Sequence, residues 1–213
     1  MTTELKSLES PRNRVVDQTS EFTLFPFNSE KCDSDDSSPC VRIRRDYLAT
    51  QSMYFHNWFE FEDLQNQRSG TTSTSDEKEA ASTSFVVTHH MASQQVLEAI
   101  AGWCYLHGVE TYTPPVMPLR SSNLYQVTDE KSAAFVYDLV RRHGLGFIYS
   151  LIGTGNYFMM SSFVHLLCAT VASFVRGRPL TAYAKLLDPS VIPVVPLDSS
   201  QGHHRHAEVK TIV

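Results

Sequence analysis

Residues 155–187 read GNYFMMSSFVHLLCATVASFVRGRPLTAYAKLL, and the spacing of apolar positions in this stretch decides the fold. Val164, Leu167, Cys168, Val171 and Val175 recur at the i, i+3, i+4, i+7 intervals of one helical face, which predicts a helix over 163–176. Gly177 and Pro179 stop it, and a short helix over 180–187 is closed in turn by Asp188-Pro189. Just upstream, Phe147, Ile148, Leu151 and Ile152 predict a helix over 147–158, whose second half Gly153 and Gly155 weaken.

Farther toward the N-terminus the period changes. Residues 22–27, FTLFPF, favour a strand, with Pro26 placing it at an edge or at a strand end. Val41-Arg42-Ile43 alternates like the second strand of the same hairpin, and 84–87 gives a third short strand. Between them Leu48, Phe55, Trp58 and Phe59 fall near one face of a helix over 46–64, which begins on a turn-like Ala-Thr-Gln-Ser. A second helix carries Leu97, Ile100, Ala101 and Cys104, with Ser93 as its N-cap and Gly108 just past its end. The expected class is therefore α+β, a small three-stranded sheet flanked by helices.

Four segments lack the pattern of a core. Residues 1–20 and 189–213 are expected to be tails. Residues 65–83 are crowded with Ser, Thr and acids, and 109–132 are polar with Pro114-Pro115 and Pro118; both are expected to be disordered loops, too poor in apolar surface to offset their ordering entropy.

Composition narrows the function. A net charge of −5 argues against a broad nucleic-acid surface, and the clusters Arg42, Arg44, Arg45 and Arg141, Arg142 are better explained as solvated helix or strand ends. No apolar run reaches the ~20 residues of a membrane span, and residues 1–20 lack the apolar core of a signal peptide. Four cysteines do not form a disulfide framework: Cys104 and Cys168 fall in apolar helical patterns as small core residues, and Cys32 and Cys40 flank an acidic loop. A reducing compartment, cytoplasmic or nuclear, follows.

Chemistry is thin. The pairs Gly144/Gly146 and Gly153/Gly155 neither follow a strand nor open a helix as a phosphate cradle requires. His89 and His90, if extended, point to opposite faces and cannot share an ion; His203, His204 and His206 lie in the tail without a fixed second layer of partners. No catalytic residue, cofactor or metal site is expected. A binding role fits better, since Tyr137, Tyr149, Tyr157, Phe158, Met159 and Met160 are more large apolar groups than one core needs. The alternative is that they all pack inward.

The quoted stretch also resembles the signature of the S-phase kinase-associated (Skp) adaptor family. Asn156-Tyr157-Phe158, then Cys168-Ala169-Thr170-Val171-Ala172, then Arg176-Gly177-Arg178 stand at the separations of that family's Asn-Tyr-Leu, Cys-x-Thr-Val-Ala and Lys-Gly-Lys. Val136-Tyr137-Asp138 is similar to its Val-Trp-Asp, and Trp103-Cys104 lies in a helix like the family's Trp-Cys helix. Leu48 to Phe55 resembles the general BTB/POZ sequence around its first long helix.

The resemblance spans roughly 22–187 and implies a BTB/POZ-like domain over 21–158 with Skp-type, dimerisation-type helices over 159–188. It implies a non-catalytic adaptor of a cullin-based ubiquitin ligase, linking a cullin to an F-box substrate receptor. Carried over by position, Asn156 and Tyr157 face the cullin, and Val171, Val175, Tyr183 and Leu186 face the F-box protein. The bland alternative is that Asn156 caps its helix and Tyr157 packs inward. Beyond Leu187 the family continues into further helices, where this chain has Pro193, Pro196 and a His-rich tail, so much of the F-box groove would be missing or remade. A second reading keeps the BTB fold as a homodimerising scaffold unrelated to ubiquitin.

Overall fold

A computed structural model describes residues 20–27, 39–69 and 84–196 of the chain. Strand β1 (Glu21–Phe25) alternates exposed and buried positions, Phe22 and Leu24 turning inward. It pairs antiparallel with β2 (Val41–Arg44), Phe22 opposite Ile43, and parallel with β3 (Ser84–Val86), Leu24 opposite Phe85. The order β2-β1-β3 makes β1 central rather than an edge. Pro26, with no N–H to donate, falls one residue beyond its end.

The single helix expected over 46–64 is two: α1 (Arg45–Gln51) and α2 (Met53–Ser69). Ser52 between them is extended, at φ −131° and ψ 114°. Its hydroxyl accepts from Phe55 N at 3.2 Å and donates to Phe158 O at 2.6 Å, so local bonds replace helix continuation. Residues 65–69, assigned in sequence to a disordered loop, complete α2; 70–83 of that loop lie outside the described residues.

Helix α3 (Gln94–His107) has the expected ends. Ser93 accepts from Val96 N at 3.4 Å, and Gly108 has φ 58°.

Residues 109–132 correct the expectation of disorder. Tyr112, Leu119 and Leu124 are buried, Leu124–Gln126 forms a 3-10 turn, and Leu124 N donates to Tyr137 Oη at 2.8 Å. Pro115 is buried with them, and Tyr125 and Val127 pack against the core, while the prolines leave the backbone less entropy to lose.

Helix α4 (Glu130–Tyr157) begins well before the expected 147, capped by Asp129, which accepts from Ser132 N at 2.9 Å. It breaks at Gly144 (φ 75°, ψ −174°), a conformation essentially reserved to glycine. The second half of α4 thus does open on a glycine pair, but Val191 O and Pro189 O take its first amides, from Leu145 N at 3.4 Å and Gly146 N at 3.0 Å. The expected tail is accordingly fixed as far as residue 196: Val195 is buried, and Arg141 donates to Pro196 O at 3.1 Å.

Helix α5 (Ser161–Val175) and the short α6 (Tyr183–Leu186) follow as expected, with a 3-10 turn at Leu180–Ala182 between them.

One core joins these elements. Phe22, Phe55, Trp58, Phe59 and Phe85 cluster under the sheet, with Phe22 and Phe59 centroids 5.0 Å apart. Trp103 of α3, fully buried, stacks on Phe163 of α5 at 4.5 Å and meets Tyr112 edge-on at 5.0 Å. Phe163, Leu166, Leu167 and Ala169 belong to the same cluster as β1, so the division drawn at 158/159 is not a packing boundary. Cys104 lies in the core, its thiol pushed up to about 12 by burial, whereas Cys168, also expected inside, is exposed.

Candidate partner-binding site

Helix α4 ends at the residues singled out for partner contact. Phe158 N bonds back to Thr154 O at 3.0 Å, Met159 N to Asn156 O at 3.0 Å, and Met160 N to Gly155 O at 2.8 Å before α5 departs. This closes a tight corner whose buried pegs are Phe158 and Met160. Ser52 anchors the corner to the start of α2 through Phe158 O.

Asn156 is exposed at the corner and Tyr157 is half-buried, so the inward-packed alternative holds for only part of Tyr157. Its ring lies 5.2 Å from that of His89 and 5.3 Å from that of Phe158, and its hydroxyl is 3.0 Å from Thr88 Oγ1. Tyr54 lies on it as well, centroids 6.0 Å apart, so the phenol is held from several sides while remaining only half-buried. Met159 is exposed with φ 54°, an uncommon conformation for a side-chain-bearing residue. Asn156, Met159, Met160, Ser161, Val164 and His165 line a pocket of about 110 Å³ beside it.

The second predicted set lies elsewhere. Val171 and Val175 are half-buried on the far half of α5, and Tyr183 and Leu186 are half-buried on α6, which packs against α5. At 1.5 Å per residue, Val171 and Val175 stand roughly 15–20 Å along α5 from its start beside the Asn156 corner. Of the predicted stripe Val164, Leu167, Cys168, Val171 and Val175, only Leu167 is buried; α5 buries it together with Phe163, Leu166, Ala169, Thr170 and Ser173. Being apolar on both faces, α5 satisfies the core with one and leaves the other partly uncovered.

Of the other candidates, Tyr137 is core, accepting from Leu124 N, and Phe158 and Met160 are buried. Tyr149 is half-buried and donates to Leu187 O at 2.8 Å. Arg44 pairs with Asp46 at 2.5 Å, Arg45 with Asp63 at 3.2 Å across to α2, and Arg142 with Asp138, so these arginines are engaged by the chain's own acids and, for Arg141, by Pro196 O. His89 and His90 do not oppose each other. They lie in the turn after β3, their centroids 5.0 Å apart, and the opposite-face expectation fails because the segment is not extended. Among the described residues no group of three His, Cys, Asp or Glu side chains could hold a metal ion, and no helix is long and apolar enough to cross a membrane. His203, His204 and His206 lie outside the described residues.

Sequence reasoning missed Thr88, His89, Ser161 and His165 as neighbours of the corner. They come from separate elements, and only the turn-like reading near Ser52 hinted at the junction. No protein-family model matches the chain, and no curated protein matches it.

Proposed function

We propose that this chain is a non-catalytic adaptor of a cullin-based ubiquitin ligase, built on a BTB/POZ-like domain and presenting its Asn156–Tyr157 corner to the cullin. The observation that carries the reading is the corner itself: a held Tyr157, an exposed Asn156 and a strained, exposed Met159 beside a pocket with room for one partner side chain. A pre-positioned aromatic gives contact area at small entropy cost, and strain in exposed backbone is a mark of functional sites. The partly uncovered stripe of Val171 and Val175, with Tyr183 and Leu186, supports an F-box protein as second partner. Residues 188–196 turn back over α4 instead of extending that surface, so among the described residues F-box contact would fall on α5 and α6. The reading carries with it a cytoplasmic or nuclear location. Affinity capture of the tagged chain from cell extract followed by mass spectrometry tests it: a cullin should be recovered with the wild type and depleted with Asn156→Lys plus Tyr157→Lys.

One observation favours the homodimerising scaffold instead. Met53, Phe61 and Leu64 fall on one face of α2 and are all more than half exposed, at 56%, 58% and 54%. Light scattering separates the readings, since a stable symmetric dimer at micromolar concentration supports the scaffold and a monomer the adaptor.

A further inference from the structure

We propose that His89, His90 and Met91 form a copper(I) site at the rim of the molecule, an inference independent of any protein partner. The three residues follow β3 in a tight turn closed by Ala92 N to His89 O at 2.9 Å and Ser93 N to Met91 O at 2.9 Å. The turn removes the alternation an extended chain would impose and brings the two imidazoles side by side, 5.0 Å between centroids with 31° between planes. Two imidazoles bound to one tetrahedral ion at about 2.0–2.1 Å each have centroids roughly 5 Å apart.

The thioether completes the cluster. A Cβ added at Gly153 would lie 2.8 Å from Met91 Sδ and 3.4 Å from His89 Cε1, so sulfur and ring converge on the space that the glycine leaves. Met91 and His90 are exposed, which leaves the cluster open to an incoming ion. His89 Nδ1, by contrast, is buried and has no hydrogen-bond partner, an arrangement that asks for a ligand or a water.

The donor set chooses the ion. The thioether is the soft donor that favours copper(I), the two imidazoles are borderline donors that copper also accepts, and the absence of a carboxylate among the three gives little to a hard divalent cation. The Tyr157 ring, tilted against that of His89 with centroids 5.2 Å apart, closes one side of the cluster.

The test is Cu(I) titration under ascorbate against a chromophoric Cu(I) chelator. It uses the full chain with the competing donors removed: Cys32→Ser, Cys40→Ser, Cys168→Ser, His203→Ala, His204→Ala and His206→Ala. This protein should bind one equivalent of Cu(I). Adding His89→Gln and His90→Gln should abolish that binding, and adding Met91→Leu alone should weaken it about tenfold. Met91 is exposed, so its variant keeps the test decisive if the double histidine variant does not fold. Absence of Cu(I) binding in the parent, or unchanged affinity in either variant when folded, overturns the proposal.

Discussion

The Ser52 hydroxyl accepts from Phe55 N, capping α2, and donates to the carbonyl of Phe158, 106 residues away. Ser52→Ala leaves a buried carbonyl without its donor, for which a loss of about 1–3 kcal/mol is expected in urea unfolding. Trp103 has a different role. It is fully buried between α3 and α5, so Trp103→Ala should cost about 3–5 kcal/mol by the same measurement. Asn156→Lys, at an exposed position, should stay within about 0.5 kcal/mol of wild type. Trp103 was legible in sequence as a member of an apolar helix, and Asn156 and Tyr157 through a resemblance. The contact of Tyr157 with His89 was not, because no local pattern records which side chain a turn 68 residues upstream will present. Cys168 misled for the opposite reason: its spacing marks an apolar face, but spacing cannot say which of two apolar faces the core will take.

Helix α4 shows the same limit at the scale of elements. Its two halves are set at an angle by Gly144, and the carbonyls of residues 189 and 191 fill the amides freed there. A Cβ at Gly144 would stand 3.3 Å from Ile192 Cγ1 and 3.4 Å from Val191 O, in a backbone region closed to other residues. Gly144→Ala should therefore destabilise by about 1–3 kcal/mol. It should also speed hydrogen exchange at Leu145 and Gly146, as residues 189–196 lose their seat. Faster exchange confined to regions remote from α4 would contradict this account. Periodicity found α3 and α5 because each has a clean stripe and recognisable stops. It missed the first half of α4 and the packing of 109–129, where a few apolar residues meet partners far away in sequence. In those segments burial is a property of the assembled core, beyond what composition records.

For the molecule as a whole, acid sensitivity should report the integrity of the α3–α4 junction. His107 is buried, its Nε2 3.2 Å from Ser132 Oγ. Its pKa is held below the ordinary value by burial and then by Lys131, against the opposing pull of Asp129 and Glu110. The unfolded chain therefore takes up the proton first as pH falls. The stability contributed by the neutral ring is complete above about pH 6.5 and declines as pH drops toward the folded-state value. The urea midpoint should fall between pH 7 and 5.5, and His107→Gln should flatten part of that decline, with His89 acting in the same direction. The fold class was legible from the order of periods along the chain, whereas the candidate site needed the corner that α2, the turn after β3, α4 and α5 build together. The central claim, that this corner receives a cullin, is tested most directly by measuring binding of the purified full chain to a purified cullin N-terminal region. The account predicts saturable binding at micromolar concentration or tighter, and its loss in folded Asn156→Lys plus Tyr157→Lys protein. No binding by the wild type, or equal binding by the variant, would contradict it.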